Sequence, residues 1–145
     1  MKTFPVILTV GLMMASFALA HQGVTDPHIK ARMHAMSTAG QASKTLGDMA
    51  KGKRAFEQEA AQQARADLLQ ISTDIPALFE VEALDLVTEA APDIWSNFAQ
   101  FQSRAEAMQK AVMDLDTSSP EEIARGMRAV GRSCGGCHKP FRIKK

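Results

Sequence analysis

The sequence predicts an all-α domain folded as an antiparallel four-helix bundle. Apolar residues recur at alternating spacings of four and three along long segments, which is the pattern of helices packed side by side. There is no Tyr and only one Trp among the 145 residues, and this composition favours helices over a sheet. Four such segments with mostly short connections predict neighbouring helices that run in opposite directions.

The first twenty residues have the composition of a secretory signal. Lys2 supplies a positive charge, Val6 to Ala18 is an apolar run, and Ala18-Leu19-Ala20 has small residues at the spacing of a cleavage site. The apolar run is too short to span a bilayer. We therefore expect residues 1–20 to be removed, leaving a periplasmic domain at 21–145 without a membrane span.

The first predicted helix starts at Asp26, a helix-capping residue followed by proline, and ends near Gly52. Gly40 and Gly47 fall on its apolar stripe, which suggests that a partner helix or a ligand comes close to it. The second predicted helix runs from about residue 53 to 79, and Pro76 is expected to bend or interrupt it near its end.

The second half of the chain begins with a long connection, residues 80–91, that has no clear period. A third helix is predicted from 92 to 115. Ser119 and Glu122 then form a capping box around Pro120, which is a strong signal for the start of the fourth helix. The apolar stripe of that helix continues through Cys134, Cys137 and Phe141.

Charge is distributed unevenly along the chain. Residues 21–56 carry six basic and two acidic side chains, 57–116 carry three and twelve, and 121–145 carry seven and two. The net charge over the whole chain is only +1, which gives no general case for nucleic-acid binding. Both ends of the predicted domain are basic and its middle is acidic.

The two cysteines of the chain lie three residues apart, in the sequence CGGCH at 134–138. On a helix, Cys134, Cys137 and His138 point toward nearly the same side, so two thiols and an imidazole face one internal volume. C-x-x-C-H in an exported protein is typical of covalent haem c attachment. The cysteines would form thioethers to the haem and His138 would be the proximal iron ligand, with one haem per chain.

Three other uses of the cysteines fit less well. A structural zinc site needs four ligands, and the sequence shows no second pair. A thioredoxin-like pair opens a helix beside a sheet, whereas this pair comes late in a helix. A disulfide between residues so close together would add little stability and leaves His138 unexplained.

The order of a signal, four helices and C-x-x-C-H-x-x-F-R resembles the class II c-type cytochromes, the cytochrome c′ and cytochrome c-556 group. Phe141 and Arg142 complete that motif. The segment MSTAGQASKTLGDMAKG, residues 36–52, resembles the low-spin c-556 branch, and PDIWSNFAQF, residues 92–101, also resembles the family. The resemblance covers the whole predicted domain.

In the low-spin branch the resemblance implies a second axial ligand at Met36. Its thioether would raise the reduction potential. Alternatively Met36 only packs beside the haem, or Met33, one turn away, competes for the iron; His34 is expected on the surface. In the cytochrome c′ branch the iron is five-coordinate and binds NO or CO.

The resemblance also implies residues that contact the haem. Arg32 matches an arginine that contacts a haem propionate, or is a solvated arginine on the helix face. Arg142 matches an arginine on the proximal side, or is a charge that helps the helix end. Trp95, Phe98 and Phe141 are expected around the porphyrin, where ordinary core packing would look the same. His21 and His28 are expected on the surface.

These observations predict a periplasmic electron carrier with no catalytic residues, rather than an enzyme. Basic side chains on the first and fourth helices predict redox partner proteins with an acidic docking face, unless this charge only compensates the propionates. The alternatives are a gas-binding cytochrome c′ and a thiol–disulfide protein without haem. The resemblance also allows a homodimer.

Overall fold

The computed structural model describes residues 23–144, so the predicted signal at 1–20 and His21 lie outside it. The described chain forms five helices and no strand, apart from one isolated β-bridge between Ala90 and Arg142. The helices are α1 (Pro27–Ala50), α2 (Gln58–Leu78), α3 (Asp93–Ser96), α4 (Phe98–Met113) and α5 (Pro120–Phe141). None of them is long and apolar enough to cross a membrane.

The four long helices form a closed ring, which confirms the predicted bundle. α1 packs against α2 and α5, and α4 packs against the same two helices from the other side. Leu46, Leu68, Val112, Ile123 and Val130, which come from all four helices, are fully buried between them. Short turns join α1 to α2 and α4 to α5, so successive helices run in opposite directions.

The starts of α1 and α5 are those that the sequence predicts. The Asp26 carboxylate accepts the backbone N–H groups of His28 and Ile29 at 2.8 and 3.1 Å, and the Ser119 hydroxyl accepts that of Glu122 at 3.2 Å. These contacts satisfy backbone donors that have no partner inside a helix.

Two predicted helix boundaries are wrong. α2 begins at residue 58 rather than 53, because Gly52 takes a left-handed conformation (φ +66°) and residues 51–57 form a turn. The predicted third helix is divided at Asn97, whose backbone (φ −129°, ψ 41°) leaves the helical region although its N–H still donates to the carbonyl of Asp93. Pro76 falls in the last turn of α2, which continues past it to Leu78.

The long connection, residues 79–92, is fixed to the end of α5. The N–H of Ala91 donates to the carbonyl of Phe141 at 3.1 Å, and the N–H of Ile143 donates to that of Glu89 at 2.8 Å. The Arg142 guanidinium forms an ion pair with the Glu89 carboxylate. The connection therefore lies at the end of the bundle where the C-G-G-C-H motif is located.

Candidate haem site

The motif lies in the last turns of α5, which runs uninterrupted through it to Phe141. Cys134 and Cys137 are free thiols, half-buried and packed against the hydrophobic core. His138 follows on the same helix but is exposed, so the prediction that its imidazole faces the interior together with the thiols is wrong. The predicted direction of the thiols is thus confirmed, with both at the edge of the core.

The surroundings keep all three groups uncharged near neutral pH. Burial raises the pKa of the Cys134 thiol and of the Cys137 thiol. The pKa of His138 is lowered, first by desolvation and then by the positive charge of Arg142, while Glu89 opposes the shift. A neutral imidazole is the form that binds metals through nitrogen.

The glycines of α1 and α5 have few close neighbours. A Cβ added at Gly40 or Gly47 of α1, or at Gly131 or Gly135 of α5, would meet no atom of the described chain within 4 Å. The suggestion that a partner helix of this bundle comes close to the α1 glycines is therefore wrong. Gly40, Gly131 and Gly135 are exposed, so the space beside them is open to solvent, and the ligand alternative stays a prediction.

Met36 and Met33 differ in their packing. Met36 is half-buried and packs against the same core cluster as Cys134 and Cys137, whereas Met33, although partly covered, is not among the residues packed on that cluster. His34 and His28 are exposed, as predicted. Of the two candidate methionines, only Met36 thus packs against the hydrophobic core that the cysteines also contact.

Arg32 is buried, with only 4% of its surface exposed, so the alternative of a solvated arginine is wrong. Its Nε donates to the carbonyl of Leu78 at 2.9 Å, Nη1 donates to that of Ala83 at 3.0 Å, and Nη2 donates to that of Val81. Arg32 thus joins α1 to the last residue of α2 through one backbone carbonyl and to the long connection through two. These bonds use three of its five N–H donors, so the propionate contact stays a prediction.

The predicted aromatic residues form part of one cluster at this end of the bundle. Phe101 is at its centre, with ring centroids 4.9 Å from Phe79, 5.9 Å from Phe98 and 5.4 Å from Phe141. Trp95 donates its indole N–H to the carbonyl of Phe79 at 2.8 Å. The cluster joins the connection to α4 and α5, so these rings have packing roles whether or not they also contact a porphyrin.

Sequence reasoning missed Arg104 and Glu89. Arg104 of α4 reaches the motif, because its Nη1 would lie 3.6 Å from a Cβ added at Gly136, and its charge partly opposes the rise in the Cys137 pKa. Glu89 accepts from Arg142 Nε at 2.6 Å. Arg142 therefore pairs with the connection rather than acting as a free charge at the helix end. Neither residue stands in a recognisable motif.

The donor set fits covalently attached haem. Cys134, Cys137 and His138 supply two free thiols and one neutral imidazole at one side of a helix, next to open space. Between residues 23 and 144, no three or more His, Cys, Asp and Glu side chains come together in a way that could hold a metal ion by themselves. A structural zinc site built from this motif therefore has no further ligands in that part of the chain.

Comparison with known proteins agrees with this chemistry. Residues 27–142 match the sequence profile of the family described as Cytochrome C'. Cytochrome c-556 of Rhodopseudomonas palustris is 28% identical over 146 residues, 92% of each chain, and cytochrome c′ of Pararhodospirillum photometricum is 28% identical over 125 residues, 81% of this chain and 97% of the other. The NMR-validated structure of oxidised R. palustris cytochrome c556 superposes with a TM-score of 0.74 at 26% identity, over 83% and 99% of the two chains. The chain therefore belongs to the cytochrome c′ family, a group of class II c-type cytochromes that carry covalently attached haem c.

Proposed function

We propose that the protein is a periplasmic single-electron carrier whose haem iron is bound by His138 and Met36. The observation that carries the proposal is that Met36, unlike Met33, packs against the hydrophobic core that Cys134 and Cys137 also contact. A thioether of α1 that faces this core could serve as a second iron ligand in addition to the imidazole of His138.

Each side chain has a separate task in this proposal. When bound, haem c supplies an iron couple that takes up and gives back one electron. Cys134 and Cys137 would hold the group on α5 through two thioethers, and His138 would bind its iron. Met36 has no proton to exchange and, as a soft ligand, favours the reduced iron, which raises the reduction potential.

A second candidate is a five-coordinate cytochrome c′ that binds NO or CO. Met36 is only half-buried and packs against the hydrophobic core, so the side chain could lie beside the iron without binding it. The relative from P. photometricum is named cytochrome c′ and is as similar in sequence as the c-556 relative.

The absorption spectrum of the haem-loaded protein distinguishes the two functions. An electron carrier with Met36 bound is expected to show sharp visible bands when reduced, a methionine-to-iron charge-transfer band when oxidised, and no response to CO. Broad high-spin bands that shift with CO would assign the protein to the gas-binding class. A colourless product with free thiols, made together with the haem-attachment machinery, would instead indicate a thiol–disulfide protein.

Substitution of the two methionines tests which of them is the ligand. Met36→Ala is expected to abolish the charge-transfer band, lower the reduction potential and permit CO binding. Met33 lies on the same helix and is also partly covered. Met33→Ala should leave the charge-transfer band, the reduction potential and the lack of CO binding unchanged. If Met33→Ala has these effects and Met36→Ala does not, Met33 is the ligand and the proposal for Met36 fails.

The proposal includes redox partner proteins with an acidic docking face. Arg128, Arg132 and Lys139 of α5 are exposed and form no ion pair with another described residue. Such charges steer association with an acidic surface, and salt screens them. If added salt leaves the rate of electron exchange with an acidic partner unchanged, these side chains serve another purpose, such as compensating the propionates.

A further inference from the structure

The long connection exposes an unusual amount of apolar surface. Six large apolar side chains are exposed among the described residues: four lie in the connection, Ile143 lies in the C-terminal segment bonded to it, and Met113 lies elsewhere. Leu86 is 100% exposed. The other four are between 41% and 47% exposed and are Val81, Leu84, Val87 and Ile143. We call these five residues the connection face; exposed apolar surface concentrated in this way is typical of interaction sites.

The backbone that carries the connection face is held in place. Arg32 binds the carbonyls of Val81 and Ala83, and Trp95 binds that of Phe79. Within the connection, the Asp85 carboxylate accepts the N–H groups of residues 87 and 88 at 3.0 and 2.6 Å. Because the segment is already ordered, little conformational entropy is lost when a partner covers it.

The charge along the connection is mainly acidic. Residues 80–93 contain five acidic side chains and no Lys or Arg, although Glu89 is paired with Arg142 and Lys144 follows Ile143. The carboxylates of Glu82 and Asp93 line a shallow, open depression and can attract a lysine or arginine side chain through charge. The complementary surface is therefore apolar at its centre and basic at its rim.

The connection face adjoins the proximal side of the haem motif. The backbone bonds from Ala91 to Phe141 and from Ile143 to Glu89 fix the connection to the residues that directly follow His138. Glu89 is near enough to influence the imidazole electrostatically. A partner that covers the connection face would thus lie beside the helix end that carries the iron ligand.

We propose that the connection face is a docking site for a partner protein that presents an apolar patch ringed by lysine or arginine. This surface has the opposite charge to the exposed side of α5, so an electron donor and an electron acceptor need not compete for one surface. The proposal rests on the proposed function in one respect only, the role of the partner in electron transfer. Docking itself does not depend on which ligand binds the iron.

A defined peptide can test the binding chemistry with the haem-loaded protein. The probe is a helical peptide of about 14 residues with leucines on one face and lysines on the other. A scrambled peptide of the same composition is the control for simple charge attraction. Two-dimensional amide NMR spectra, recorded while each peptide is added, are expected to show shifts confined to residues 80–93 and 142–144 for the amphipathic peptide.

Matched variants separate this face from the rest of the surface. Leu86→Ser is expected to weaken binding of the amphipathic peptide about tenfold, because the peptide covers a leucine that is otherwise fully exposed. Met113→Ser removes an apolar side chain that is 59% exposed at the other end of the bundle and should leave the affinity unchanged. Glu82→Gln should weaken binding by about twofold at low salt, whereas Glu106→Gln on α4 should not.

Several results would overturn the proposal. Equal binding of the scrambled peptide would mean non-specific attraction, and an affinity for Leu86→Ser within twofold of that of the unmodified protein would mean that the face is not used. A third such result is that the amide NMR signals of residues 81–87 shift with protein concentration in the unmodified protein but not in Leu86→Ser. That result would mean that a second copy of the chain covers the face. The absorption spectrum of the same samples reports the iron ligands independently, so a failure of docking cannot be confused with a failure of the proposed function.

Discussion

At one end of the bundle, the turns between helices are made by residues that are close together in the sequence, whereas the other end is held by contacts between distant residues. In the turn end, residues 51–57 and 114–119, Gly52 reverses the chain and the N–H groups of Lys53 and Arg54 return to the carbonyl of Asp48. The other end lies beside the C-G-G-C-H motif, and we call residues 78–98 and 141–144 the motif end. Here Arg32 and Phe141 bind a connection that lies about fifty residues away from each of them in the sequence.

The difference indicates which end of the bundle serves the function of the protein. Local turns are sufficient to close a helical bundle. The motif end adds a buried arginine, an aromatic cluster and an ordered connection, all beside the residues that would hold the haem. Such a structure restricts the movement of the chain next to the cofactor and presents a defined surface to other proteins.

The largest expected effect is a loss of stability when one arginine is replaced at each end of the bundle. Arg32→Leu leaves three carbonyls of the motif end without their donor and should lower the free energy of unfolding by about 3 kcal/mol. Arg65→Leu removes two bonds, to the carbonyls of Val112 and Met113 at the turn end, from a partly exposed side chain and should cost about 1 kcal/mol. Urea unfolding of the haem-loaded variants measures both values. Equal losses would mean that the motif end is not held more strongly than the turn end.

The second prediction concerns glycines near the turn end. A Cβ at Gly126 would lie 2.5 Å from Cδ1 of the buried Leu115, so Gly126→Ala should destabilise the protein by about 1 to 2 kcal/mol. Gly47→Ala meets no atom of the described chain within 4 Å and should stabilise α1 by about 0.5 to 1 kcal/mol. Thermal unfolding of both variants provides the comparison. A stabilised Gly126→Ala would show that Leu115 moves aside easily.

The third prediction returns to the motif end. Trp95→Phe keeps an aromatic ring but loses the indole N–H that donates to Phe79 at 2.8 Å, so the free energy of unfolding should fall by about 1 kcal/mol. Amide hydrogen exchange should become faster in the connection, residues 79–92, while exchange in the turn end stays as it was. Uniformly faster exchange would mean that Trp95 supports the whole bundle and not this end alone.

Much of the turn end and of the haem motif could be predicted, since their signals are local. Asp26, Ser119 and the spacing of Cys134, Cys137 and His138 each act within one or two turns of a helix. The prediction was wrong at Asn97 and at the start of α2, where one non-helical backbone conformation and one glycine conformation outweighed apolar periodicity.

The organisation of the motif end could not be predicted because its contacts join distant residues. Nothing in the neighbours of Arg32 indicates that it will bind the carbonyls of Leu78, Val81 and Ala83, and Arg104 lies on an exposed stretch of α4 with no motif around it. The connection has no helical period because its order comes from those distant partners. The family resemblance implied that Arg32 contacts a haem propionate. Its burial under the connection became known only from the structure.

The smallest expected effect is a pH dependence at the turn end. The pKa of Asp116 is lowered, chiefly by the Ser118 side chain and also by the Ser118 N–H, which donates to the carboxylate at 2.8 Å. A carboxyl whose pKa is lower in the folded state stabilises that state above its unfolded pKa, and the contribution is lost as the pH falls through the folded pKa. Ser118→Ala should therefore raise the Asp116 pKa toward its ordinary value and destabilise the protein slightly at neutral pH, with no difference once Asp116 is protonated in both states. NMR titration of the Asp116 carboxyl carbon measures the shift. An unchanged pKa would mean that the Ser118 N–H alone lowers the pKa of Asp116. Any residue at position 118 except proline supplies this N–H, so local backbone geometry would then be sufficient to order the turn.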